Sequence, residues 1–411
     1  MLTGRSSVPI SGLCDARFEP VREAFAGNFA QHGERGAAVC LSVGGRVVVD
    51  LCGGWADEEA GRAWAPDTLV NMFSIGKAMT TVCALRLVSD GALDVDASVR
   101  RSWPEFAAGG KGDVTLRQVL SHQAGLPAIR HRLPPGAMLD WSAMCDALAA
   151  EVPWWEPGSA HGYHVNTFGY LVGEVVRRVS GQRMGRFFRE RVAGPLEADV
   201  HFGLGSNHDD RVARFLGHDT PLPESQPDGL TVEQLMEYNA YGNPSGLSGT
   251  GVVNTRAWRA AEIPSTNGHA SARGVARVFQ ALAAGGSVDG VLLATADALA
   301  AAVEEQVSGP DLILHRPSRF GLGFQLTQPE RPLGPNPGAF GHFGAGGSVG
   351  FCDPAAGVAF GYVMNTMGPR WQNPRNRALI DAIYDSLGAP PVAAVAAEPD
   401  RGMHHQSGPR P

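Results

Sequence analysis

Lysine is nearly absent from this 411-residue chain: of its 34 basic residues only Lys77 and Lys111 are lysines, and the others are arginines. There is no dense Lys/Arg block, and the formal net charge is -7. Nucleic-acid binders carry a basic patch, so no nucleic-acid partner is expected. Also missing is any run of ~18 or more apolar residues, so no membrane span is expected. The N-terminal stretch MLTGRSSVPISGLCDARFEP lacks the apolar core of a signal peptide. No C-x-x-C pair occurs among the six scattered cysteines. Buried reduced thiols in a cytoplasmic protein are therefore expected rather than a disulfide framework. His161 and His164 are three apart, but no carboxylate or cysteine cluster completes a ligand set, so neither a metal nor a cofactor is expected.

What is present reads as an ordinary globular composition, 44% hydrophobic. Val21, Phe25 and Phe29 repeat at four-residue spacing and predict a helix over 19–31. AAVCLSVGGRVVVDLCGG reads as a hairpin around Gly44-Gly45. A short strand, TLVNMF, leads into a helix over 75–90. Helices are predicted over 115–122, 168–181 and 183–194, and residues 204–255 read as long loops. Ser271 caps a further helix. Strand-type runs return at 319–327, 347–353 and 357–365, and a helix over 375–388 closes the fold. The Pro/Ala-rich residues 391–411 read as a disordered tail. The expected fold class is α/β: an antiparallel sheet flanked by helices, with an inserted, mostly helical lobe. The sheet lobe is drawn from 1–70 and 271–390, and the helical lobe from 71–270. A cleft between them is the natural place for a site.

FSIGKAMT places Ser74 three residues before Lys77, on one helical face. A serine hydroxyl is a weak nucleophile and needs a base. A lysine serves when its pKa falls, through burial or nearby positive charge. The helix start opposes protonation of Lys77 and favours negative charge at Ser74. The plain alternative is a surface lysine, but a lone lysine in an apolar helix fits a solvated face poorly. Tyr163, in a Gly-flanked loop before a helix, is a candidate proton relay if cations lower its pKa; packing against the helix start is the alternative. In FGHFGAGGSVGFCDP, His342-Phe343-Gly344 precedes small residues beside a strand. Small residues let a substrate approach backbone N–H groups, so Ser74 and Ala345 are candidate oxyanion-hole donors, with His342 and Gly344 on the substrate side.

In this order the three stretches resemble the serine β-lactamase and penicillin-binding-protein superfamily, for which S-x-x-K is a signature. LRQVLSHQAGLP (116–127) looks like the superfamily's LLSHTSGLP stretch. Within it the chain is most similar to the family VIII carboxylesterases, which are class-C-β-lactamase-like esterases. Supporting phrases are GYHVNTFGYLVGEVVRR, NPSGLSGTG and PSTNGHASARGVAR. The resemblance covers about 20 to 390. It implies Ser74 as nucleophile, Lys77 as general base and Tyr163 as proton relay in an acyl-enzyme mechanism. Two departures stand out. Tyr163-His164-Val165 replaces Tyr-x-Asn, and His342-Phe343-Gly344 replaces Lys-Thr-Gly. The lost lysine removes a cation for a β-lactam carboxylate, which favours a neutral ester. A hydrogen bond from His342 to Tyr163 is expected in its place.

Gly346-Gly347-Ser348-Val349-Gly350 also matches G-x-S-x-G, but that elbow needs a following helix, and a hairpin is expected here. His122 is expected to be structural. Trp154 and Trp155 either line an acyl pocket or pack the loop. The leading expectation is therefore a hydrolase of small ester substrates, of undetermined oligomeric state. The competing readings are an acyltransferase or peptide-cyclising thioesterase, a weak β-lactamase or DD-peptidase, and a non-catalytic binding protein on the same fold.

Overall fold

The structure is a computed structural model that describes residues 8–222 and 226–389. The tail expected over 391–411 lies outside the described residues. Strands drawn from the two ends of the chain form one antiparallel sheet, ten-stranded among the described residues. The early strands are β1 (Ile10–Cys14), β2 (Gly36–Val43), β3 (Arg46–Asp57) and β4 (Arg62–Ala63). The late strands are β5 (Val307–Pro310), β6 (Pro317–Phe320), β7 (Gln325–Leu326), β8 (Phe340–Phe343), β9 (Val349–Asp353) and β10 (Val358–Met364). The order is β1-β3-β2-β10-β9-β8-β7-β6-β5, with β4 on β3. The two chain ends meet where Val39 pairs with Tyr362 across β2 and β10. Both strands are almost wholly buried, which is why they read as continuous apolar runs rather than alternating ones.

Helix α1 (Glu19–Gln31) and helix α6 (Pro374–Leu387) pack together, while α5 (Ala272–Ala283) lies across β2, β9 and β10. Helix α5 is capped by Ser271, whose hydroxyl accepts the Gly274 N–H at 3.1 Å. Between the chain ends run α2 (Ile75–Ser89) and α3 (Thr167–Ser180), which pack on each other. Helix α2 is apolar on every side and buried over nearly its whole length, the mark of a helix inside the core. It also touches β8, so the central helix joins the sheet to the helical layer.

Three expectations need correction. Residues 204–255 are not all loop: α4 spans Val232–Gly242, started by a capping box between Thr231 and Gln234. The run 319–327 is not one strand; β6 and β7 are antiparallel partners turned at residues 321–324. The helix expected over 183–194 is α-helical only over Met184–Phe188 and continues as a π-turn over Arg189–Ala193. All six cysteines are free thiols. No helix among the described residues is long and apolar enough to cross a membrane.

Candidate active site

Ser74 is the N-cap residue of α2, but its hydroxyl caps nothing, so the oxygen is left for other work. The preceding residue, Phe73, is held at φ 49, a left-handed conformation that a bulky side chain adopts only under constraint. One turn on, Lys77 is fully buried. Its Nζ lies 3.2 Å from Ser74 Oγ, 2.6 Å from the Val165 carbonyl and 3.3 Å from the Ser265 carbonyl. Burial pushes the Lys77 amine well below the ordinary lysine range. All three partners are oxygen acceptors, so the contacts alone fit an ammonium as well as an amine, and it is burial that favours the amine. In that form two N–H groups suffice for the two carbonyls, and the lone pair faces the Ser74 hydroxyl.

Val165 occupies the third position of the Tyr-x-Asn pattern and serves Lys77 through its backbone, which any residue there provides. The neighbouring Asn166 spends its amide on Ala240 and Ser248 and does not substitute for the missing side chain. The contacts from Val165 and Ser265 could not be read from the sequence, because a carbonyl leaves no side-chain signature.

Tyr163 is buried beneath Lys77, whose Nζ stands 4.6 Å from the ring centre. Phe320 stacks on the ring at 5.9 Å, and Trp371 meets it edge-on at 4.9 Å. Burial raises the phenol's pKa well above its usual value, and the Ser74 hydroxyl beside it offsets only part of that rise. The condition set for the relay, a pKa lowered by cations, is not met: burial favours the protonated phenol. Its hydroxyl has no hydrogen-bond partner among the described residues, although Ser74 is close enough to act on it.

The bond expected between His342 and Tyr163 is not formed. His342 Nδ1 donates to the Phe343 carbonyl at 2.6 Å, and the two rings sit 6.1 Å apart. That bond turns the imidazole, and Nε2 is left without a partner among the described residues. Burial, reinforced by Lys77, lowers the His342 pKa to about 3, so the ring is neutral near pH 7. The position of the Lys-Thr-Gly lysine therefore carries no charge.

Gly344 joins β8 to a short 3-10 turn over Ala345–Gly347, which Ala345 opens. The turn is tied down from α6 and the residue before it. Arg375 and Asn373 both donate to the Gly346 carbonyl, at 3.1 and 3.0 Å, and Asn376 donates to the Gly347 carbonyl at 2.8 Å. Neither the Ser74 nor the Ala345 backbone N–H makes a hydrogen bond among the described residues, so both remain free to donate. Ser348 is fully buried, donates to the Met72 carbonyl at 3.2 Å and is followed by strand β9 rather than a helix. It is a structural serine.

Of the remaining candidates, His122 lies against the Tyr163 ring, their centres 5.0 Å apart. His161 meets Ser318 Oγ at 3.0 Å, and His164 is bound by Gly162 and Leu126. His122 accepts the His164 N–H at 3.1 Å and is fully buried. Trp154 and Trp155 line a cleft of about 630 Å³ together with Val232, Met236 and Leu312. Met236 and Tyr163 share one apolar cluster, so the cleft adjoins the site.

Known proteins match the chain over most of its length. A family model described as Beta-lactamase matches residues 21–385. The esterase/β-lactamase LipL of Mycobacterium tuberculosis is 34% identical over 368 residues, covering 87% of this chain and 83% of LipL. A solved family VIII carboxylesterase is 41% identical with a TM-score of 0.84, covering 92% of this chain and 100% of that one. A penicillin-binding-protein homologue from Caulobacter crescentus is 42% identical, also with a TM-score of 0.84, and covers 92% and 100%. By the matched length, the chain belongs to the β-lactamase family.

Proposed function

We propose that the protein hydrolyses small carboxylic esters through an acyl-enzyme on Ser74. The observation that carries this reading is the buried Lys77 amine, 3.2 Å from Ser74 Oγ, with its other two contacts spent on carbonyls. Ser74 Oγ attacks the ester carbonyl carbon, and its proton passes to Lys77 Nζ. The Ser74 and Ala345 N–H groups face the oxyanion. The Tyr163 phenol gives its proton to the departing alkoxide, and the charged Lys77 restores it. A water molecule then attacks the acyl carbon, its proton is taken up by the same groups, and the acid leaves as Ser74 regains its hydrogen.

An ester suits this site better than a β-lactam, because a β-lactam carboxylate finds no charge at neutral His342. The family VIII carboxylesterase supports the same substrate class, while LipL is named both esterase and β-lactamase. The test is a rate panel of p-nitrophenyl esters from acetate to decanoate, with nitrocefin beside them. Fast ester turnover and slow nitrocefin turnover are expected; the reverse order would overturn the reading. Ser74→Ala should abolish turnover and Ser348→Ala should retain most of it. A new ester formed when a short alcohol competes with water would identify acyl transfer instead.

A further inference from the structure

The loop that carries Tyr163 is fastened to a remote part of the chain by one buried carboxylate. Asp311 follows β5 and is 2% exposed. Its Oδ1 accepts the backbone N–H groups of Tyr163, Ile313 and Leu314, at 3.0, 2.9 and 2.9 Å. Its Oδ2 accepts the Ser318 hydroxyl at 2.8 Å, and Ser318 in turn meets His161 at 3.0 Å. In the opposite direction, the Leu312 N–H donates to the His161 carbonyl at 3.1 Å. Segments 161–163 and 311–318 are thus bound in both directions.

A buried carboxylate is costly unless its oxygens are met by donors. Three of the four donors here belong to the 311–318 segment, whose turn a neutral Asn or Ser serves equally well. The fourth is Tyr163, 148 residues away in sequence. Among the described residues the phenol hydroxyl has no hydrogen-bond partner to fix it, the adjacent Ser74 hydroxyl aside. Its place is therefore set by ring packing and by this backbone anchor. The stacking ring, Phe320, comes from β6, the strand that also carries Ser318.

We infer that Asp311 is a positioning residue for the reaction, holding the Tyr163 backbone so that the phenol stands where the leaving alkoxide forms. This rests on the relay role proposed for Tyr163. A relay matters most for a poor leaving group; p-nitrophenolate departs without a proton. The test compares ethyl butyrate with p-nitrophenyl butyrate, which share an acyl group, in the full-length enzyme. Because an ångström-scale misplacement costs about 100-fold, Asp311→Ala should lower kcat/KM for the ethyl ester by about that factor. For the nitrophenyl ester kcat/KM should change by less than about 5-fold; deacylation, common to both esters, enters kcat but not kcat/KM. Asp311→Asn keeps an oxygen for the three N–H groups and should restore most of the ethyl ester rate. Ser318→Ala, a milder cut that frees Oδ2, should show the same selectivity at smaller size if Asp311→Ala does not fold.

Equal losses on both esters, or no loss on either, would overturn the role of Asp311. Tyr163→Phe in the same panel separates the two ideas. If Tyr163→Phe is selective and the Asp311 and Ser318 variants are not, the positioning role alone falls. If Tyr163→Phe is itself unselective, the relay falls and the positioning role with it.

Discussion

Lys77 Nζ stands 4.6 Å from the centre of the Tyr163 ring, yet burial drives both groups towards their neutral forms. A charged ammonium gains up to about 2 kcal/mol from a ring face. The cost of stripping water from that ammonium in a fully buried site is larger, so neutrality wins. Burial thus favours a free amine beside a protonated phenol, the forms that the proposed mechanism uses as base and acid.

Replacing Lys77 with arginine should therefore be as damaging as removing it. A guanidinium keeps its proton and has no lone pair to offer Ser74. Loss of a positioned base costs about 100- to 10,000-fold, so kcat/KM for a p-nitrophenyl ester should fall by that range in Lys77→Arg. A variant within 10-fold of the parent would remove Lys77 from the mechanism.

Gly344→Ala tests the oxyanion site. A Cβ there would sit 2.2 Å from Ser348 Oγ and 2.5 Å from the Met72 carbonyl, two residues before Ser74. Backbone cannot yield as a side-chain tip can, so the turn bearing Ala345 must move away from Ser74. Losing one oxyanion donor costs about 100- to 1,000-fold in kcat. That fall is expected with KM little changed, measured with a short-chain ester.

The sequence carried the frame of this site more clearly than its fittings. The three-residue spacing of Ser74 and Lys77, and the apolar helix around them, were readable because helix period and burial leave a pattern in residue types. The carbonyls of Val165 and Ser265, and the carboxylate of Asp311, act on backbone or through backbone, and no spacing rule reveals them. Helix α4 was hidden by its Gly- and Pro-rich surroundings, although the Thr231/Gln234 capping pair was a signal for it. The break between β6 and β7 follows from Gly323, at φ 69, where a Cβ would lie 1.8 Å from Thr81 Oγ1. That crowding depends on α2 crossing from elsewhere in the chain. The same holds for Lys111, the other lysine. It is buried and donates to the carbonyls of Ala108, Ala149 and Glu151, so scarcity of lysine marked buried amines but did not tell the base from the strut.

Arg375→Gln should destabilise the fold more than its place on a helix start suggests. Arg375 and Glu34 form an ion pair with side chains 4% and 0% exposed, and Tyr362 donates a further bond to Glu34. Burial raises the Glu34 pKa, and Arg375 is the largest force holding it down. Cutting a buried pair on one side costs about 3–5 kcal/mol, because the other charge is left without compensation. Urea unfolding should show that loss. Activity should fall as well, since Arg375 also holds the Gly346 carbonyl of the Ala345 turn.

The buried histidines set how stability changes with pH. Burial is the leading cause that lowers His164 to about 4, His269 and His342 to about 3, and His122 well below the usual range. The unfolded chain binds protons on these rings below about pH 6.5, while the folded chain does not until far lower. The unfolded state therefore holds more protons in this window, and stability rises with pH. The histidine contribution should be complete above about pH 6.5 and be lost as pH falls towards 4. Lys77, whose amine burial also lowers, adds stability that grows further as pH rises towards about 10. Glu34, with its raised pKa, works in the opposite sense, but it is one group against four. Urea midpoints compared at pH 7 and pH 5 should show the drop, above the range in which ordinary carboxylates titrate. In His269→Asn, which removes one such ring away from Ser74, the slope should shrink by about 1.4 kcal/mol per pH unit. A midpoint that does not move between pH 7 and 5 would show that these rings are protonated in the folded protein.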